Sequence, residues 1–292
     1  MPQHTASTHE DDGHLLLQQQ QLRLIVDATH GGAIRAFGWR GQPILRPTVS
    51  DAEVDPFAMA CFPMVPYANR IANGRFSFDA RTVRLQRNWQ HDPHPLHGQG
   101  WCRSWTIAHS EDSSATLTLE GGGDEWPWRY RAEQQFRLGP TALTVRLSVE
   151  NLAQSPMPTM LGIHPYFPDA ASAELETTAC RVWQTDRECL PIEDAAAPAA
   201  WSFEKPRLVA AVPLDHCFTE WDGTAVLRWP DRQVVMRALN CRCLHVYTPP
   251  GRDFFCLEPQ SAAAGALNRG DAPVVAPNGR TEIRVSFEIG SP

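Results

Sequence analysis

Hydrophobic and polar residues alternate along much of this chain. Leu22-Arg23-Leu24-Ile25-Val26-Asp27 shows the period of two expected of a half-buried strand, and His30-Gly31-Gly32 supplies a turn before Ala33-Ile34-Arg35-Ala36-Phe37. That pair predicts a hairpin. Ala115 to Glu120 alternates and runs into Gly121-Gly122-Gly123. Leu143, Val145, Leu147 and Val149 share one face, with Thr144, Arg146 and Ser148 on the other. This stretch follows Gln135-Phe136-Arg137-Leu138 across Gly139-Pro140, a second hairpin with turn chemistry at its tip. Thr281 to Ile289 is again strictly period two and predicts a terminal strand closing a sheet.

Helical periodicity is scarce, because 25 prolines and 19 glycines interrupt nearly every window long enough for three turns. One short helix is predicted around Asp51 to Met59, and Asp194 to Ala200 reads as a surface loop. Residues 1–14 are expected to form a flexible tail. Residues 15–292 are expected to form a single all-β domain, a large antiparallel β-sandwich with functional residues on strand ends and loops at a concave face. A chain of 292 residues fits one such unit.

Composition narrows the functional classes. A formal charge of -7 without an extended Lys/Arg block gives no electrostatic footprint for nucleic acid or anionic membrane. No run approaches the ~18 apolar residues of a membrane span. The first residues lack the basic and apolar regions of a secretory signal, so a soluble, cytoplasmic protein is expected. The 8 cysteines contain no C-x-x-C pair and read as reduced, mostly buried thiols. Strand alternation alone explains Cys241-x-Cys243.

Five segments carry candidate chemistry. Asn69-Arg70 precedes Asn73-Gly74, a hairpin signal that puts Arg70 on a strand; its guanidinium suits sugar hydroxyls or a carboxylate, or simply covers a sheet. His94 and His97 in His94-Pro95-Leu96-His97-Gly98 have no third ligand at a telling spacing, so no metal is expected. A neutral His97 suits a hydroxyl-rich ligand, and Trp101 or Trp105 either stacks on a sugar or packs the core. His164, in Gly162-Ile163-His164-Pro165-Tyr166-Phe167, is either a satisfied core residue or a histidine held in one orientation by Pro165. Asp215 lies among apolar neighbours and needs donors, which sugar hydroxyls or a turn's N–H groups supply equally well; Asp222-Gly223 is the stronger turn. Glu258 ends an apolar strand, a setting that raises a carboxyl pKa and prepares a general base, unless the side chain reaches solvent before Pro259.

In combination and order these segments resemble the aldose 1-epimerase (galactose mutarotase) family, its shorter bacterial branch most of all, over roughly Leu22 to Ile289. The telling pieces are Asn69-Arg70-Ile71-Ala72-Asn73-Gly74-Arg75-Phe76, Leu96-His97-Gly98, His164-Pro165-Tyr166-Phe167 and Leu257-Glu258-Pro259. The resemblance implies a galactose-mutarotase-like β-supersandwich that interconverts the α and β anomers of a free aldohexose without cofactor or metal. It implies Glu258 as base and His164 as acid. Arg70, His97 and Asp215 fall where the family holds sugar oxygens, with Asn69 beside them. The run Pro259-Gln260-Ser261-Ala262-Ala263-Ala264 departs from the polar residues the family often has there, and Arg103 partly echoes a sugar-6-phosphate branch. A hexose-6-phosphate mutarotase and a noncatalytic sugar-binding domain on the same fold are the alternatives. A glycoside hydrolase using Asp215 and Glu258 is a rival from another class. The expected partner is a monosaccharide, and a homodimer is compatible with this reading.

Overall fold

The computed structural model describes residues 13–48 and 55–292. Its architecture is antiparallel β, with 18 strands joined in one large sheet and two small two-stranded sheets beside it. Among the described residues no helix is long and apolar enough to cross a membrane. The alternating segments fold as their pattern dictates. Leu22–Asp27 pairs with Ala33–Trp39, and Tyr130–Leu138 pairs with Ala142–Asn151. The last strand, Arg280–Gly290, runs between Ala142–Asn151 and Gln233–Leu239, so it lies within the sheet. Its inward residues Ile283, Val285, Phe287 and Ile289 are all buried. Phe287 meets Phe167 at 6.2 Å between ring centroids, and Phe167 stacks on Phe255 at 5.4 Å.

Several local expectations change. The sheet starts at His14, inside the expected tail, with the ring of His14 on Asp27 at 3.0 Å; positions 1–12 lie outside the described residues. Of the helix expected around Asp51 to Met59, Pro56–Ala58 is a single 3-10 turn capped by Asp55, and positions 51–54 lie outside the described residues. The expected loop from Asp194 to Ala200 contains the end of a strand, Pro191–Ala196, and a 3-10 turn, Ala199–Trp201. Pairing with Glu174–Thr185 and the Arg181–Asp194 contact at 3.0 Å outweigh the low strand preference of its alanines. Asp222-Gly223 lies within the long strand Asp215–Arg228, where Gly223 at φ 83 and Glu220 at φ 55 accommodate an irregularity in pairing.

The loops that carry Asn69 and His97 are stapled together. Asn73-Gly74 belongs to a 3-10 turn, Ala72–Gly74, and the hairpin that follows turns instead at Asp79 and Ala80, both at positive φ. Arg70 is therefore not on a strand; it makes one isolated antiparallel bridge to Leu96. One residue away, the N–H of Asn69 donates to Nδ1 of His97 and the N–H of His97 donates to the carbonyl of Asn69, each at 3.1 Å. Gly98 makes this crossing possible. It has φ 70, and a Cβ there would stand 2.3 Å from the Val65 carbonyl oxygen. Gly98→Ala is accordingly expected to lower stability by about 2 kcal/mol or more, seen as a lower denaturant midpoint at unchanged slope. An unchanged midpoint would show that the loop relaxes without cost.

Candidate active site

Strand register builds the site. Phe62 pairs with His164 across Cys61–Met64 and Gly162–Pro168, while Glu258 pairs with His245 across Phe254–Gln260 and Cys243–Tyr247. His245 in turn pairs with Cys217 on Asp215–Arg228. Gly162–Pro168 and Phe254–Gln260 are joined at Gly162 to Gln260 and at Tyr166 to Cys256, which sets His164 opposite Glu258. The ladder is interrupted between those two points. Pro165 and Pro259 fall in the gap and have no N–H to contribute. The outcome is one transverse row, Phe62, His164, Glu258, His245 and Cys217, with Tyr166, Cys256, Tyr247 and Asp215 in the next row on the same face.

This face floors a cavity of about 340 Å³. All six residues expected from sequence reach its lining: Asn69, Arg70, His97, His164, Asp215 and Glu258. Sequence reasoning missed His245, Asp92 and the aromatic wall of Phe57, Trp89, Tyr166, Tyr247 and Phe254. For His245 a signal existed, because the alternation that explained Cys243 continues through His245 to Tyr247. Trp101 and Trp105 are core residues, their indole N–H groups donating to the carbonyls of Gly98 and Gly100. Trp89 is the tryptophan that faces the cavity.

Glu258 is 3% exposed, and its Oε1 lies 3.2 Å from Nε2 of His164. Burial raises its carboxyl to about 7, against the opposing charge of His245. Gln260 donates to its other oxygen at 3.3 Å, and Ser261 accepts the N–H of Leu161 at 2.8 Å, so the atypical run after Glu258 supports the strand end. His164 is pushed down to about 3, first by burial and then by the charge of His245, and is neutral here. It lies flat on Tyr166 at 4.7 Å. His97 is also neutral, held well below its usual value by burial, to which the charges of Arg70 and His245 add; accepting the Asn69 N–H at Nδ1 leaves its proton on Nε2.

His245 behaves oppositely. Burial disfavours its charge, but the Glu258 carboxylate and the Asp215 contact at 2.8 Å outweigh that and hold it well above its usual value. Asn69 Nδ2 lies 3.3 Å from His245 Nδ1, an arrangement that by itself suits a neutral ring. Two flanking carboxylates dominate one long amide contact, and the Asn69 amide stays as it stands because its Oδ1 accepts the N–H of Arg70 at 2.8 Å. Asp215, despite a burial penalty, stays well below the usual carboxylate range because of His245, with Arg70 nearby. Arg70 itself donates to Asp92 at 2.8 Å.

His94 and His97 do not converge: His94 accepts from the N–H of Asn73 at 3.2 Å and faces Glu188. Among the described residues, the one group of metal-ligating types is His164, Cys256 and Glu258, within 4.8 Å of one another. Burial holds the Cys256 thiol protonated, so this group is foremost a carboxyl–imidazole pair. Arg103, the echo of a phosphate-binding branch, is paired with Glu125 and does not line the cavity.

The chain also matches known proteins. The model of the aldose 1-epimerase family matches residues 14–288. The chain belongs to the aldose 1-epimerase family. It is 32% identical to YphB of Escherichia coli K12, an uncharacterized protein, over 94% of this chain and 97% of that one. A crystal structure of an Escherichia coli K12 protein provisionally named as an aldose 1-epimerase superposes with a TM-score of 0.89 at 30% identity, covering 96% of this chain and 99% of that chain. The aldose 1-epimerase of the same organism is 29% identical over 47% of this chain and 42% of its own length. The superposed structure shares the antiparallel β architecture described above.

The electrostatics predict that His164 keeps one protonated and one unprotonated ring nitrogen throughout pH 5 to 7. Its ¹⁵N imidazole shifts in NMR measure this directly. A doubly protonated His164 at pH 6 would contradict the effect of its burial and of the charge on His245.

Proposed function

We propose that this member of the family is an aldose 1-epimerase, interconverting the anomers of a free aldohexose. The observation that carries the reading is the contact of Glu258 Oε1 with His164 Nε2, 3.2 Å apart at the floor of a cavity sized for a small sugar. Ring opening of a hemiacetal acts on two oxygens bonded to one carbon, so its base and its proton donor must stand close together. Glu258 takes the proton of the C1 hydroxyl, the C1 to ring-oxygen bond breaks, and His164 Nε2–H protonates the ring oxygen. The aldehyde turns about C1–C2 and closes on its other face as both protons return. A neutral imidazole donates here to an oxygen acquiring charge, as suits a buried ring. His97 Nε2–H, Arg70, Asn69 and Asp215 hold the remaining hydroxyls, and the aromatic wall receives the C–H face of the sugar.

An uncharged substrate suits the electrostatics. Of the cationic groups lining the cavity, Arg70 is already set against Asp92 and His245 against Asp215. Neither is free for a phosphate, and Arg103 is engaged elsewhere. A hexose 6-phosphate is therefore the weaker substrate class. A glycoside hydrolase built on Asp215 and Glu258 leaves His164 without work.

Freshly dissolved α-D-glucose or α-D-galactose should lose its excess optical rotation faster with the protein than in buffer, with no reducing sugar released from glycosides. No acceleration with these, other aldoses or their 6-phosphates would leave only a binding role. Glu258→Gln and His164→Asn should each lower kcat by about 10²-fold or more in folded protein. Because the base must be ionised, kcat/KM should rise with pH through a midpoint near 7 and be lost below it as Glu258 takes up its proton. A rate independent of pH from 5 to 9 would remove Glu258 from the base role.

A further inference from the structure

We propose that His245 is the positioning residue for the base: an imidazolium fixed on Asp215 that stands across the sheet from Glu258 and keeps that carboxyl ionised for catalysis. The inference rests on Glu258 acting as the base, and it adds a residue outside the acid–base pair. Its footing is geometric. Glu258 and His245 are directly paired residues on adjacent antiparallel strands, and such pairs keep their side chains in mutual reach. On the far side the ring is tethered, Nε2 to Asp215 Oδ1 at 2.8 Å, while Asn69 lies at Nδ1. The residue is 6% exposed, so water screens its field little.

The groups around His245 come from every neighbouring element. Asp215 and Cys217 face it from Asp215–Arg228, and Glu258 faces it from Phe254–Gln260. His164 approaches from Gly162–Pro168, and Asn69, Arg70 and His97 from the loops above. Arg70 is set against Asp92, and His164 and His97 are neutral, which leaves His245 as the cation nearest in register to Glu258. Burial without such a partner would drive the carboxyl further toward its protonated, inactive form. Asp215 completes the arrangement by holding the imidazolium charged, a carboxylate–imidazole relation turned toward tuning a second carboxylate.

His245→Gln removes the charge while leaving an amide able to donate to Asp215. The acid-side midpoint of kcat/KM, near 7 in the natural protein, should move upward by one unit or more. Activity at pH 6.5 then falls about tenfold or more, and the deficit narrows toward pH 9. A merely structural role would lower activity without moving the midpoint. An unmoved midpoint in folded His245→Gln, with Glu258→Gln inactive, overturns this inference alone; an active Glu258→Gln overturns the reading beneath it. If the variant does not fold, ¹⁵N NMR of the natural protein decides: His245 doubly protonated at pH 7.5 supports the proposal, and a neutral ring there overturns it.

Discussion

The register between Gly162–Pro168, Phe254–Gln260 and Cys243–Tyr247 is the constraint on which this site depends. It places His164, Glu258 and His245 in one row on one face of the sheet. Because side chains alternate faces with a period of two, a slip of one residue in any of these pairings would send a member of the row to the opposite side. What fixes the register is apolar burial on both faces. Gly162–Pro168 is buried at every position, and Phe167, Phe255 and Phe287 pack in the core on the opposite face while His164 and Glu258 look into the cavity. The site is thus a by-product of how the core packs.

Burial also divides the labour among groups of similar chemistry. His97, His164 and His245 all line the same cavity and are all nearly inaccessible. The first two lack a carboxylate strong enough to offset desolvation and stay neutral; the third has Asp215 and Glu258 on either side and is charged. The carboxylates separate in the same way. Asp215 is held anionic by His245, whereas the more deeply buried Glu258 is raised to about 7, where it can both take and release a proton. An acid–base pair and a set of hydroxyl-binding groups arise from common side chains placed at different depths.

Much of this was legible in the chain. Period-two alternation gave the hairpins and the terminal strand, and apolar surroundings marked His164 and Glu258 as residues whose polarity required a reason. The motifs around Asn69-Arg70 and His97-Gly98 lie on loops that reach the cavity lining. Three things were hidden for physical reasons. His245 sits in Cys243-Leu244-His245-Val246-Tyr247, where alternation announces a strand but says nothing about which charged residues its partners bring. Arg70 leads into Asn73-Gly74, whose turn chemistry serves a 3-10 turn, so the strand expected for Arg70 is replaced by a bridge to Leu96. Trp89 and Asp92 belong to a loop whose position over the sheet is set by contacts such as Arg70 to Asp92, 22 residues apart.

A crystal structure with a bound aldopyranose tests the central claim most directly. The geometry calls for the C1 hydroxyl within hydrogen-bond distance of Glu258 and the ring oxygen within reach of His164 Nε2, with His245 behind Glu258 and not on the anomeric carbon. A sugar bound with its anomeric end toward Arg70 and Asp92, or one excluded from the His164–Glu258 floor, would contradict it.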